Sequence, residues 1–197
     1  MSVLAPRGAQ PCHLLLIVGL KGSGKTTALG ILRSWGFAVV EMSAILKERL
    51  PLSMPVSNDT IEARISAYGR HRLMAEVLEC LDAQEVQGRI QAISGMRSPL
   101  DLRALDLLRP ITQIIEIRAS FDLRLLRILE RGRLGDCQTR VQLRQSDRQE
   151  SAWGLDTFTG DPRVSPVFNE STVEALRESL NRVVGIPSIS HAAGELT

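Results

Sequence analysis

Leu14-Leu15-Leu16-Ile17-Val18, then Gly19-Leu20-Lys21-Gly22-Ser23-Gly24-Lys25-Thr26, then Thr27-Ala28-Leu29-Gly30-Ile31-Leu32-Arg33-Ser34-Trp35: this stretch decides the fold. Five apolar residues run into a glycine-rich turn, and beyond it Ala28, Leu29, Ile31, Leu32 and Trp35 recur at helical spacing, so the order is strand, loop, helix. The middle eight residues fit the phosphate-binding pattern G-x-x-x-x-G-K-[ST]. Charge placement explains the pattern. Gly19, Gly22 and Gly24 permit backbone angles that turn successive N–H groups inward as a cup for phosphate oxygens. The following helix adds the partial positive charge of its N-terminus. Gly19, Lys21, Gly22, Ser23, Gly24, Lys25, Thr26 and Thr27 are therefore the candidate nucleotide-binding residues. Within them Lys25 is expected to reach the β- and γ-phosphates of ATP, and the Thr26 hydroxyl to bind Mg²⁺.

Working outward, Gly36 stops the first helix and Phe37–Met42 reads as a second strand. Ser43 is expected to cap a short helix over Ala44–Leu50 that ends before Pro51, and the segment to Asn58 reads as a loop. Asn58 or Asp59 then caps one long helix to about Gln87 that carries Arg64, Arg70, His71 and Arg72. Ile90–Ser94 is a third strand, followed by a helix signposted by Ser98, Pro99 and Asp101. Ile111–Arg118, apolar nearly throughout, suits a strand buried on both faces. Helices near Phe121–Arg131 and Thr139–Ser151, a fifth strand at Val164–Phe168 and a last helix behind a Ser171/Glu174 capping box complete the chain. Five strands alternating with helices predict a doubly wound α/β fold with a five-stranded parallel sheet. Ligands gather at the carboxyl ends of such strands, where Gly19, Ser43, Gly95–Arg97 and Ala119 fall.

The length of 197 residues suits one domain over about residues 12–185, with 1–11 and 186–197 read as loose ends. A net charge of +2 and only 4% aromatic residues argue against a nucleic-acid partner, because no stacking surface accompanies the arginines. Cys12, Cys80 and Cys137 match no metal-ligand spacing and read as reduced thiols. The run Leu14–Val18 is too short to span a bilayer, so a cytoplasmic protein without membrane attachment is expected.

From Arg118 to Arg148 the chain carries eight arginines, and Arg124, Arg127 and Arg131 share one helix face, with Arg133 past the turn. Taken singly, each arginine reads as part of a solvated helix face. Taken together beside a phosphate loop, they suit neutralisation of the charge that spreads over a phosphoryl group in transfer.

The phosphate loop, Gly95-Met96-Arg97-Ser98, Arg131-Gly132-Arg133, Arg144-Gln-Ser-Asp-Arg-Gln-Glu150 with Trp153-Gly154, and Asn169-Glu170 together resemble the adenylate-kinase-like and dephospho-CoA-kinase-like P-loop proteins, most closely a group known from archaea. The resemblance implies an ATP-dependent, Mg²⁺-assisted small-molecule kinase with an acceptor-binding lobe near residues 43–87 and an arginine lid near 131–150. It places Arg131 and Arg133 in the lid, Ser43, Arg64 and Arg72 toward a nucleotide-like acceptor, and Arg97 against an acceptor or phosphate. Two departures stand out. Related kinases often carry an aspartate just after the second strand, where this chain has Ser43-Ala44, and another at the end of the third, where it has Ser94. Glu41 is the candidate substitute acid, with a solvent-facing or paired glutamate as the plain alternative; Asp136 and Asp147 are further acids, with lid salt bridges as theirs. A regulatory nucleotide-binding protein with little transfer is the competing reading.

Overall fold

The computed structural model describes residues 13–50, 58–84, 90–96, 98–133, 136–152, 154, 158 and 160–185. Five parallel strands form one sheet in the order β2-β3-β1-β4-β5: β1 His13–Val18, β2 Ala38–Glu41, β3 Ile90–Ser94, β4 Ile111–Arg118 and β5 Val164–Phe168. Pro166 lacks an N–H for a sheet ladder, and β5, which holds it, is an edge strand. The helices are α1 Lys25–Ser34, α2 Met42–Arg49, α3 Asn58–Tyr68, α4 Arg70–Asp82, α5 Pro99–Leu108, α6 Phe121–Arg131, α7 Arg140–Ala152 and α8 Val173–Val184.

Alternation along the strands builds two cores, because successive side chains point to opposite faces of the sheet. Leu14, Leu16, Val18, Val40, Ile93 and Ile114 pack with α4 and α5 through Leu73, Val77, Leu81 and Leu105. Leu15, Ile17, Val39, Ala92, Ile115 and Ile117 pack with α1 and α8 through Ala28, Leu32, Leu176 and Leu180. Helices on both faces are what make the fold doubly wound. The central strand β1 sits between β3 and β4 in parallel register, Ile17 opposite Ser94 and Val18 opposite Glu116. Its carboxyl end therefore delivers Gly19 to the middle of the sheet edge.

Three local expectations are corrected. The long helix over residues 59–87 is two helices that meet at Gly69, whose φ of 96° and ψ of 105° are outside the helical region; Asp82 ends the second, and Gln87 lies outside the described residues. Ile65 before the break and Leu73 after it enter the same core, so burial holds both pieces against the sheet. The second correction concerns α2, which begins at Met42 directly after the strand, so Ser43 lies inside the first helical turn and caps nothing. In α8 the cap is Thr172, whose hydroxyl accepts from the Ala175 amide at 3.2 Å. With Thr172 as the cap, Glu174 falls one place too early to close a box, and the expected Ser171/Glu174 box does not form. Ser98 caps α5 as its sequence implies, accepting from Leu100 N with Pro99 in the first turn.

Candidate phosphate-binding site

The loop between β1 and α1 is folded as a cup, and steric contact fixes its shape. Gly19, Gly22 and Gly24 have φ of 143°, 79° and 104°. A Cβ on Gly19 would lie 2.4 Å from Ile117 O, one on Gly22 2.8 Å from Arg124 O, and one on Gly24 2.2 Å from Asn169 Nδ2. All three positions exclude a side chain both by conformation and by space. Lys25 opens α1 and curls back, its Nζ donating to Gly19 O at 2.6 Å and Leu20 O at 3.0 Å. Ser23 N closes the turn on Leu20 O at 3.1 Å, whereas the amides of Gly22, Gly24, Thr26 and Thr27 donate to no backbone oxygen among the described residues. Ser23 is buried, and its Oγ has no hydrogen-bond partner among them. Thr26 and Thr27 are exposed at the mouth. Free amides at a helix N-terminus, an ammonium and an unsatisfied hydroxyl form a donor set for an anion.

The back of the cup is held by residues whose role the sequence reading assigned elsewhere. Arg124, 3% exposed, makes a two-pronged ion pair with Asp147 of α7 at 2.8 and 2.6 Å, and its Nη1 also donates to Lys21 O at 3.1 Å. Arg127 donates to Asn169 Oδ1 at 3.2 Å, and Asn169 Nδ2 donates to Ser23 O at 2.8 Å. Glu170 Oε1 accepts from the Ser120 amide at 2.7 Å, at the start of α6. Arg124, buried, and Arg127, half-buried, therefore brace the loop from behind instead of forming a fully solvated helix face. The Asn169-Glu170 pair ties the end of β5 to both loop and helix. Asp147→Asn would leave the buried Arg124 guanidinium without its counter-charge, an expected loss of about 2 kcal/mol, less than for a fully buried pair because Asp147 itself is half-buried. Urea denaturation checks this, with Asp122→Asn, which breaks the exposed pair with Arg140, expected to change stability by no more than about 0.5 kcal/mol.

In front, Asp136 takes a two-pronged pair from Arg131, Nε to Oδ2 at 2.7 Å and Nη2 to Oδ1 at 2.9 Å, and Lys21 Nζ lies 3.3 Å from the same Oδ1. Burial opposes ionisation of Asp136, but the Arg131 and Lys21 cations outweigh it and its pKa lies below the ordinary carboxylate value. Arg133 is exposed, and its side chain meets no partner among the described residues. Glu41 ends β2 in register with Ser94, which in turn lies opposite Ile17 on the strand that carries the loop. Its carboxylate accepts from Ser43 Oγ at 3.0 Å, so Glu41 and Ser43 are brought together by the strand-to-helix corner and not by strand alternation. Arg72 is engaged at home, with Nε donating to Glu76 at 3.1 Å and its guanidinium 4.5 Å above the Tyr68 ring. Glu76 also takes Arg49 and the Tyr68 hydroxyl. Arg64 is exposed on α3, and Arg97 lies outside the described residues. No group of three His, Cys, Asp or Glu among the described residues could hold a metal ion unaided, and no helix among them is long and apolar enough to cross a membrane. Cys80 and Cys137 are free thiols.

No family model matches the chain. Curated relatives do. It is 30% identical over 146 residues to the UPF0200 protein of Methanoregula boonei, covering 73% of this chain and 80% of that one. The chain belongs to the UPF0200 family. The UPF0200 protein of Methanoculleus marisnigri is 28% identical over 163 residues, covering 80% of this chain and 87% of that one. Among solved structures, a gluconokinase from Sinorhizobium meliloti aligns with a TM-score of 0.56 at 18% identity over 90% of this chain and 94% of its own. A sugar kinase from Janibacter aligns at 0.57 and 17%, over 89% and 96%. At such identities what is shared is the fold: this UPF0200 chain, with its five-stranded parallel sheet, has the fold of these two kinases.

Within the UPF0200 chain two site residues escaped the sequence reading in their present parts. Arg124 looks like any surface arginine of α6 until Gly22 is seen packed against the helix backbone at that position. Asn169 entered the sequence reading only through the Asn169-Glu170 pair of the resemblance, with no part assigned to it. Its contact spans 146 residues of sequence, which no local pattern encodes.

Proposed function

We propose that this protein is an ATP-dependent phosphotransferase that moves the γ-phosphate to a hydroxyl or phosphate of a small, nucleotide-like acceptor. The observation that carries the reading is the cup from Gly19 to Thr27, with Lys25 Nζ folded into it and four of its amides without a backbone acceptor among the described residues. The donor set fits a polyphosphate, and the unsatisfied Ser23 hydroxyl fits a site completed by a ligand. Thr26 would hold Mg²⁺, which would supply neutralising charge for the phosphates in transfer. In this reading the loop amides and Lys25 bind and orient the tail. Residues 43–87 form the acceptor lobe, with Ser43, Arg64, Arg72 and Arg97 as its contacts. Residues 131–150 form the lid, from which Arg131 and Arg133 meet the transferred group. Glu41, at the carboxyl end of β2 and steadied by Ser43, takes the acceptor proton.

A second reading has its own support. Ser94 stands at the end of β3 beside the loop strand, where an acid would serve transfer, and this favours a nucleotide-binding regulator with little turnover. Labelled ATP incubated with nucleoside monophosphates, nucleosides and dephospho-CoA separates the two. Labelled product supports transfer; tight ATP binding without product on any acceptor supports the regulator. In the same assay Glu41→Gln is expected to lower turnover about a hundredfold while ATP affinity stays within about twofold. Full activity in that variant would remove Glu41 from the chemistry.

A further inference from the structure

We propose that Asp136 is an internal anion seated in a cationic subsite made by Lys21 and Arg131, which the polyphosphate tail of a nucleotide must displace, so that Asp136 sets the affinity of the loop for its ligand. This rests on the phosphate-binding reading of the loop and goes beyond it.

Lys21 belongs to the cup itself, between Leu20 and Gly22, whereas Arg131 ends α6 and Asp136 lies in the connection from α6 to α7. The carboxylate is nearly inaccessible, with 8% of its side chain exposed, and all three of its closest polar contacts are with the two cations. Local structure aims it there. Gly132, with φ of 55°, ends α6, Asp136 N donates to Arg133 O at 3.0 Å, and Gln138 Nε2 donates to Asp136 O at 3.2 Å. A salt bridge that only shaped this turn would need Arg131 alone. The reach of a loop lysine to the same oxygen puts a carboxylate where the loop's charge is directed.

Two cations on one carboxylate leave an excess positive charge, which a tail carrying several negative charges satisfies better than Asp136 does. Both loop lysines are thus engaged internally, Lys25 by the Gly19 and Leu20 carbonyls and Lys21 by Asp136. The competition weakens apparent binding by the fraction of molecules in which the subsite is free.

The test is calorimetric titration of ATP into the full chain, wild type against Asp136→Asn, with Asp122→Asn as a control that removes one negative charge from the neighbouring α6 outside the subsite. Asp136→Asn is expected to bind ATP about tenfold more tightly, corresponding to a free subsite in roughly one molecule in ten. The control is expected to stay within about twofold. Equal or weaker binding by Asp136→Asn overturns the proposal, and so does an equal gain in Asp122→Asn, which would mark a general charge effect. If neither wild type nor variant binds ATP, the phosphate-loop reading itself falls, an outcome distinct from binding with unaltered affinity. Should Asp136→Asn melt so low that it is unfolded at the titration temperature, Asp136→Ser carries the same comparison.

Discussion

Lys25→Ala is expected to lower phosphoryl transfer by about a thousandfold, the scale on which a single preorganised charged donor acts on a developing negative charge. The ammonium group is held at the cup by Gly19 O and Leu20 O, two carbonyls of the loop it serves, so little reorganisation separates its present position from a phosphate oxygen. The fold itself should hardly notice the change. Lys25 is only half-buried, and the hydrogen bonds of its Nζ to Gly19 O and Leu20 O go to loop carbonyls that water can reach after truncation. The variant therefore separates binding from folding. Wild type with ATP at a hundred times its dissociation constant should gain about 2.7 kcal/mol. For a chain of this size that corresponds to a rise in melting temperature on the order of 5–10 °C. Lys25→Ala should show almost none of that rise while melting near wild type without ligand. A variant that keeps both turnover and the ATP-dependent shift would remove the ammonium from the site.

Gly19→Ala should have the opposite character, harming the fold first. Its Cβ would sit 2.4 Å from the carbonyl oxygen of Ile117 and 2.8 Å from Ser23 Oγ, at a φ of 143° that L side chains avoid. Ile117 is a residue of β4, buried between β1 and β5, so its carbonyl cannot step aside as a flexible side-chain tip would. Strain and overpacking together should cost about 4 kcal/mol, lowering the melting temperature by on the order of 10 °C. Gly30→Ala is the internal contrast: nothing lies within 4 Å of a Cβ there and the position is an exposed helical one, so it should stabilise by about 0.5–1 kcal/mol. Thermal melts of the two variants side by side check both statements. A Gly19→Ala protein as stable as wild type would mean that the loop and β4 separate easily.

Much of this architecture is legible in the amino-acid order because local physics dictates it. The apolar run before Gly19, the helical spacing after Lys25 and the cap at Ser98 each specify their element without help from distant residues. What escapes the sequence depends on contacts between distant residues. Gly69 breaks a run whose apolar spacing continues undisturbed from Ile65 to Leu73, and whose hydrogen bonds, Gly69 N to Ile65 O and Leu73 N to Gly69 O, nearly bridge the break. Periodicity does not register such a hinge. Arg124, Arg127 and Arg131 share a helix face in the sequence, yet their neighbours differ: Asp147 and the loop carbonyl for the first, Asn169 for the second, Asp136 for the third. The plain alternative considered for Asp136 and Asp147, a salt bridge, describes the contacts both make. Each partner lies on a different segment, and only the folded chain gathers them around the cup.

The two-sided burial of β1 has a further consequence. A strand with one wet face is indexed by its polar residues, but Leu14 to Val18 is greasy on both sides, so sliding it by one position would exchange one buried aliphatic for another at little penalty. The stop that fixes its alignment against β4 is the side-chain-free approach of Gly19 to Ile117 O. The glycine that opens the anion cup is also the notch that registers the sheet. Selection for folding alone would preserve it, and a relative that has lost all affinity for nucleotides would still be expected to carry it. Within such a lineage the ammonium of Lys25, which the sheet does not need, is the better witness to retained chemistry.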